Sequence, residues 1–179
     1  MKSSNVASRY ARAFFNVAGE EKRYEEYYHE LHRFTALMAG NRNLKDFFNN
    51  PMFPKADKKD VLNKLLQMLD LSRPAANFIR LLIEKGRIVR IEEIEESYRQ
   101  LMDETLGIAR VQVKTAFSLK PEMAVSLKQA LESLTGKKVE MQVEEEPALL
   151  GGIVVRVGDK LYDGSVRIQL ENMRKLLVS

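Results

Sequence analysis

Cysteine is absent from this 179-residue chain, which excludes disulfides, thiolate zinc sites and thiol nucleophiles together. Histidine is almost absent: His29 and His32, within HELH, are the only two. At i, i+3 they could share a metal, but the helical zinc-hydrolase motif needs i, i+4 and a third ligand. No other His or Cys exists to complete such a site, so the pair reads as solvated residues on a polar helix face. No apolar run approaches the roughly 20 residues that a membrane-spanning helix needs. Any membrane association is therefore expected to be indirect, through a partner. A strong charge of one sign is also missing, because 29 basic residues face 25 acidic ones for a net +4. That balance does not by itself argue for nucleic acid.

The opening MKSSNVASRYARAFF lacks the uninterrupted apolar core of a secretory signal. Its Arg and Ser content is similar to a mitochondrial presequence, yet its amphipathic pattern runs on into a domain helix, so it is read as part of the fold. Val6, Tyr10, Phe14 and Val17 recur at helical spacing with the small residues Ala7, Ala11 and Ala18, and Gly19 is the expected stop. Tyr24, Tyr28, Leu31, Phe34 and Met38 outline a second helix closing near Gly40. NLKDFFNN is a short third piece cut off by Pro51 and Pro54. A fourth helix starts near Lys55, with Val61, Leu62, Leu65, Leu66 and Leu69 as its stripe. In LSRPAANFIRLLIEKGRI, Ser72 suits the N-cap, Pro74 the first turn and Gly86 the C-terminal cap. Ile91, Ile94, Tyr98, Leu101 and Met102 give a sixth helix ending near Gly107. Six short helices with short loops predict a helical bundle over residues 1–105.

After Gly107 the period changes. IARVQVKTAF alternates Ile108, Arg110, Gln112 and Lys114 with Ala109, Val111, Val113 and Thr115, the pattern of a half-buried strand. A helix from about Pro121 to Leu134 stops at Gly136, and VEMQVE supplies a second strand. LLGGIVVRVGDKLYDGSVRIQL supplies a hairpin and then a final helix from about Ser165. Residues 106–179 are thus expected to form a β-α-β-β-β-α open-sheet domain, and the whole chain is an α+β protein.

The glycines of that last stretch invite a phosphate-binding reading, but the context is wrong. A dinucleotide fingerprint places glycines after a strand and at the start of a helix. Gly151 and Gly152 precede a strand instead, and are expected to bend the chain where one backbone passes close to another. Gly158-Asp159 reads as a hairpin turn and Asp163-Gly164-Ser165 as the cap of the last helix. The acidic runs EEIEES and EEEP lack the alternating ligands of a calcium loop. PKADKKD mixes both signs and reads as a solvated helix face. No catalytic triad or carboxylate pair is suggested by spacing, and no catalytic, cofactor or metal residue is assigned. A cryptic carboxylate enzyme and a basic RNA-binding adaptor built on the mixed domain are the competing readings. The strands lack the aromatic signature that the adaptor would use.

The apolar surface is more informative. The first helix carries Val6, Tyr10, Ala13, Phe14, Phe15 and Val17, wider than one core-facing stripe needs. FIRLLI places Phe78, Ile79, Leu81, Leu82 and Ile83 on most sides of the fifth. Such a helix is either deeply buried or partly covered by a partner, for example an amphipathic helix laid in a groove.

Three stretches, SRYARAFFNVA, NFIRLLIEKGRI and LLGGIVVRVGDKLYDGSVRIQL, occur here in an order that resembles the delta-subunit family of bacterial F-type ATP synthases. That family includes the mitochondrial oligomycin-sensitivity-conferring proteins. The resemblance spans essentially the whole chain, with departures at MFPKAD and at Glu145-Glu146-Pro147. It implies a non-catalytic stator subunit of the peripheral stalk, needing no cofactor, on the cytoplasmic face of the bacterial inner membrane. It implies that the helical domain binds the N-terminal helix of an alpha subunit between its first and fifth helices. The matching positions are Tyr10, Ala13, Phe14, Val17, Asn77, Ile79, Leu81 and Glu84. It further implies that the second domain meets the C-terminal ends of the b subunits around Gly151, Gly152, Val154 and Val166, with Asp163, Gly164 and Ser165 as scaffold.

Overall fold

The computed structural model describes residues 5–158 and 160–178. Among them are eight α-helices and one four-stranded mixed sheet, an α+β architecture. The chain divides between Met102 and Asp103 into two compact units.

The first unit holds α1 (Asn5–Glu21), α2 (Tyr24–Gly40), α3 (Arg42–Asn49), α4 (Lys55–Leu69), α5 (Arg73–Glu84) and most of α6 (Ile91–Leu106). Their apolar stripes meet in one core in which Tyr27, Leu31, Phe34, Leu62, Ile79, Leu82, Ile94 and Tyr98 are fully buried. On α1 the buried stripe is Ala7, Ala11, Phe14 and Ala18, spaced i, i+4, i+7, i+11. Three of those four residues are alanine, so the neighbouring helices can approach the α1 backbone closely. The start of α5 is held from inside. Ser72 caps the helix, accepting from the Ala75 N–H, and donates its own hydroxyl at 2.5 Å and its N–H at 3.2 Å to the Glu30 carboxylate. Glu30 is buried on α2. Its negative charge also faces the positive end of the α5 dipole.

Gly19 does not stop the first helix. It lies within α1, where an added Cβ would stand 3.1 Å from the Tyr24 hydroxyl, so its smallness admits that ring. The helix ends at Lys22 instead, which takes the left-handed conformation at φ 56°. The Arg23 N–H reaches back to the Ala18 carbonyl at 3.0 Å, and the Lys22 N–H to Gly19 at 3.3 Å. This is the Schellman arrangement. The same pair of bonds closes α5, from Arg87 to Leu82 and from Gly86 to Ile83, with Gly86 at φ 64° in the left-handed position.

The second unit contains β1 (Ile108–Thr115), α7 (Pro121–Thr135), β2 (Lys138–Glu145), β3 (Ile153–Val157), β4 (Lys160–Asp163) and α8 (Val166–Val178). The sheet order is β2-β1-β3-β4, with β1 and β2 parallel and the other pairs antiparallel. In β1, Ala109, Val111, Val113 and Thr115 are buried, and Ile108 is buried as well. Val139 of β2, Val155 of β3 and Leu131 of α7 complete this core. Burial falls off along β2, where Val139 is buried, Met141 half-buried and Val143 exposed.

The two Schellman ends make a paired stability test. A left-handed conformation costs an L-residue roughly 1–2 kcal/mol that glycine does not incur. Lys22→Gly is expected to stabilise the first unit by about 0.5–1 kcal/mol once glycine's extra chain entropy is counted, and Gly86→Ala to destabilise it by about 1 kcal/mol. Urea unfolding followed by helical circular dichroism checks both signs.

Candidate functional site

A second apolar stripe on α1 lies beside the buried one. Val6, Tyr10, Ala13 and Val17, spaced i, i+4, i+7, i+11, face outward across a groove from Pro74, Asn77, Phe78 and Leu81 of α5. The groove encloses about 760 Å³. Its floor is aromatic: the Phe14 and Phe78 rings stack with centroids 4.3 Å apart and planes 5° from parallel. Phe14 also stacks on Tyr27 at 5.5 Å and tilts against Tyr98 at 5.4 Å. One ring thus joins α1 to α2, α5 and α6. The walls are accessible, with Val17 38% and Leu81 40% exposed. Isolated apolar side chains on a surface need no explanation, but a continuous apolar trough does.

The tyrosines packed against the floor stay uncharged. The Tyr27 hydroxyl is pushed up to about 12 by burial first, and then by its hydrogen bond to Glu21. Burial likewise raises the Tyr98 hydroxyl, which donates to the Tyr24 carbonyl at 3.1 Å. Among the described residues, two carboxyls are held below their ordinary range: Glu26 through its hydrogen bond from Arg23, and Asp163 through Ser165. Neither lines the groove, and nor does any other carboxylate.

Of the residues that the resemblance assigns to this face, Tyr10, Ala13, Phe14, Val17, Asn77 and Leu81 line one groove. Ile79 and Glu84 do not. Ile79 is two residues before Leu81, so its side chain points to the other side of α5 and is fully buried in the core. Glu84 is the exposed last residue of α5 and lies outside the lining. Val6, Arg9, Arg73, Pro74, Phe78 and Arg87 line the groove as well. Val6 and Phe78 carried a sequence signal as part of the wide apolar faces of α1 and α5. The three arginines carried none, because nothing in periodicity marks a charge at the edge of an apolar stripe.

The second unit has its own tight construction at Gly151-Gly152. Gly152 has φ +80°, and a Cβ there would fall 3.0 Å from Ser165 Cα and closer still to the Gly164 carbonyl oxygen. At Gly151 a Cβ would meet Val166 Cγ2 at 2.9 Å. Two backbone hydrogen bonds tie the segments: Gly164 N–H to the Ile153 carbonyl at 2.9 Å and Val166 N–H to Gly151 at 3.0 Å. The Ser165 N–H donates to Asp163 at 2.9 Å, and buried Ser165 caps α8 by accepting from Ile168 at 3.3 Å. Beyond this corner Val166, Leu170 and Met173 stand exposed at i, i+4, i+7 on α8. Val154 is half-buried on the polar side of the sheet, opposite Asp163. Gly158 turns the hairpin at φ 58°, and Asp159 lies outside the described residues.

The competing chemistries find little to use. Among the described residues no three His, Asp or Glu side chains gather as metal ligands. His32 Nδ1 lies 2.7 Å from Glu95 on α6, and His29 is exposed. On the polar face of the sheet, Arg110 pairs with Asp103 and Glu140, and Lys114 with Glu144 and Glu146. That face carries no aromatic residue among those described, so it offers no stacking platform for RNA. No described helix is long and apolar enough to cross a membrane.

Comparison with known proteins by sequence shows a family, and comparison by structure shows a shared fold. The model of the family "ATP synthase delta (OSCP) subunit" matches residues 6–177. The chain is 52% identical over 177 residues to ATP synthase subunit delta of Syntrophus aciditrophicus, covering 99% of this chain and 98% of that one. It is 37% identical over 177 residues to the subunit of the same name from Geobacter metallireducens, with the same coverage of each chain. Its fold is similar to a chain in the cryo-EM structure of the Toxoplasma gondii mitochondrial ATP synthase hexamer. There the TM-score is 0.71 at 16% identity, covering 98% of this chain and 99% of that chain.

Two substitutions separate close packing from turn geometry at the glycines. Gly152→Ala forces backbone against backbone and is expected to cost the second unit about 2–4 kcal/mol, whereas Gly158→Ala, with only a left-handed residue to accommodate, costs about 1 kcal/mol. Equal costs in denaturant titrations would refute the close-approach account. Asp163 sets an acid response. Its folded pKa lies below the unfolded one, so its contribution is present above about pH 4 and is lost as pH falls through the folded value. Asp163→Asn is expected to make acid unfolding of the second unit shallower, as read by thermal melts between pH 5 and pH 2.

Proposed function

As this chain belongs to the ATP synthase delta (OSCP) family, whose members are non-catalytic subunits of the peripheral stalk, we propose that it acts as a stator clamp. In this reading the six helices of the first unit form a bundle whose α1–α5 groove receives the N-terminal helix of an alpha subunit. The second unit engages the C-terminal ends of the b subunits. The complex resides on the cytoplasmic face of a bacterial inner membrane, which this chain meets only through its partners.

A clamp requires no reacting atoms. In a rotary synthase, proton flow turns a rotor inside the catalytic head, and the head must be kept from turning with it. What matters is that each grip dissociates slowly compared with rotation. A helix seated in an apolar groove meets this need, because its affinity is set mainly by the off-rate. A stable contact of this kind buries on the order of 1,000 Å² or more. The observation that carries the reading is the groove itself: two helices each present a second apolar stripe to solvent, above a floor already packed into the core. In the second unit, the exposed stripe Val166, Leu170 and Met173 supports a helical b-subunit contact anchored by the corner at Gly151, Gly152, Gly164 and Ser165.

Leu81 and Ile79 test the first grip. Leu81→Asp is expected to weaken binding of the alpha N-terminal peptide by at least about tenfold while leaving the melting temperature nearly unchanged, since its side chain is already half in water. Ile79→Asp buries a carboxylate in the core and is expected to unfold the unit. Titration calorimetry showing unchanged affinity for the Leu81 variant would remove the groove from the mechanism.

A further inference from the structure

The rim of the groove carries charge of one sign. Arg9 on α1, Arg73 at the first position of α5 and Arg87 just past its end all line it, with no Asp or Glu among the lining residues. None of the three has an ion-pair partner among the described residues, whereas Arg23, Arg90 and Arg99 of the same unit each pair with a nearby glutamate. The rim arginines are exposed and, among the described residues, uncompensated. A guanidinium is weakly hydrated and presents a planar fork that suits a carboxylate. Placed beside an apolar trough, its attraction for an opposite charge grows as a docked helix displaces water.

We propose that this groove selects an amphipathic helix whose apolar stripe is flanked by carboxylates, and that Arg9, Arg73 and Arg87 determine that specificity. The proposal rests on the helix-binding reading of the groove and adds the chemistry by which one helix is told from another. The spacing of the arginines sets the pattern. From Arg73 to the level of Leu81, α5 rises about 12 Å, and Arg87 lies beyond its end. The acids that meet them are consequently spread over two to three turns of the incoming helix, not clustered at one point. A helix with lysines at those positions meets three like charges and is rejected. The attraction also steers encounter, so the on-rate falls as salt rises.

The test uses the full chain and two synthetic 16-residue peptides with the same Leu/Ile stripe at i, i+3, i+4 and i+7. One has glutamate on both flanks of the stripe and the other has lysine. Fluorescence anisotropy at 50 mM NaCl is expected to give at least about tenfold tighter binding of the glutamate peptide, with the difference shrinking several-fold at 500 mM. The triple variant R9E/R73E/R87E is expected to reverse the order. R9Q/R73Q/R87Q, which adds no like-charge repulsion, is expected to abolish the preference. Equal affinity of both peptides, each lost in Leu81→Asp, would overturn charge selection while leaving the groove as a helix site. A glutamate preference that survives both triple variants would place the selecting charges elsewhere and overturn the assignment. Failure of either peptide to bind, or a dimer of the chain that Leu81→Asp dissolves, would overturn the helix-binding reading and this one with it.

Discussion

The contact between the Phe14 and Phe78 rings is the constraint on which the first unit depends. At 4.3 Å and nearly parallel, the pair is worth about 0.5–1.5 kcal/mol beyond the area it buries. Its importance lies more in position than in energy. The inner side of the pair belongs to the core, against Tyr27 and Tyr98, and its outer side is the floor of the groove. The spacing of α1 and α5 is thereby set by the same atoms that close the hydrophobic interior. A groove built in this way is preformed, so the helix docking proposed for it would carry no cost for ordering its walls. The Glu30 carboxylate, holding Ser72 from inside, fixes the near end of α5 by an independent means.

Much of this was legible in the sequence, and the misses have physical causes. The wide apolar faces of α1 and α5 are visible from spacing alone, and the resemblance to the delta-subunit family placed Tyr10, Ala13, Val17, Asn77 and Leu81 on one surface. The same resemblance also assigns Ile79 and Glu84 to it, and neither lines the groove. On a helix that is apolar nearly all round, the phase of the inner and outer stripes cannot be read from hydropathy, because both carry Leu, Ile and Phe. Only the burial of Ile79 within the core, against the exposure of Leu81, distinguishes them. Gly19 looks like a stop in the sequence because glycine ends helices more often than it hosts a neighbouring ring. Lys22 gave no signal, since a lysine in the left-handed position is a cost the fold bears. The turn residues around Gly151 and Gly164 were readable as backbone devices, but not as a matched pair, which only the tertiary structure brings together.

The two units are contrasting constructions. In the first, side chains shape the surface of the proposed site: an aromatic floor, aliphatic walls and a rim of arginines. In the second, the backbone is the precise component. Gly152 lets two segments lie closer than any side chain would permit, and at Gly164 a Cβ would press on the Ile153 carbonyl at 3.3 Å; two backbone hydrogen bonds tie these segments where α8 begins. The stripe of Val166, Leu170 and Met173 inherits its direction from that crossing. On the proposed clamp, a substitution in the groove is therefore expected to act locally on affinity, whereas one at the corner is expected to act at a distance through the direction of α8.

The position of β1 in its sheet has a consequence during synthesis. β1 is the first strand to leave the ribosome, yet it lies between β2 and β3, whose residues follow about 30 and 40 positions later. The core of the first unit is complete once Met102 has emerged, and it can collapse while translation continues. β1, with a row of valines and both edges bare, must wait for Val157 before its second neighbour exists. That interval is when the nascent chain is most exposed to intermolecular pairing. The alternation of Arg110, Gln112 and Lys114 along the strand keeps one of its faces hydrated until its partners arrive.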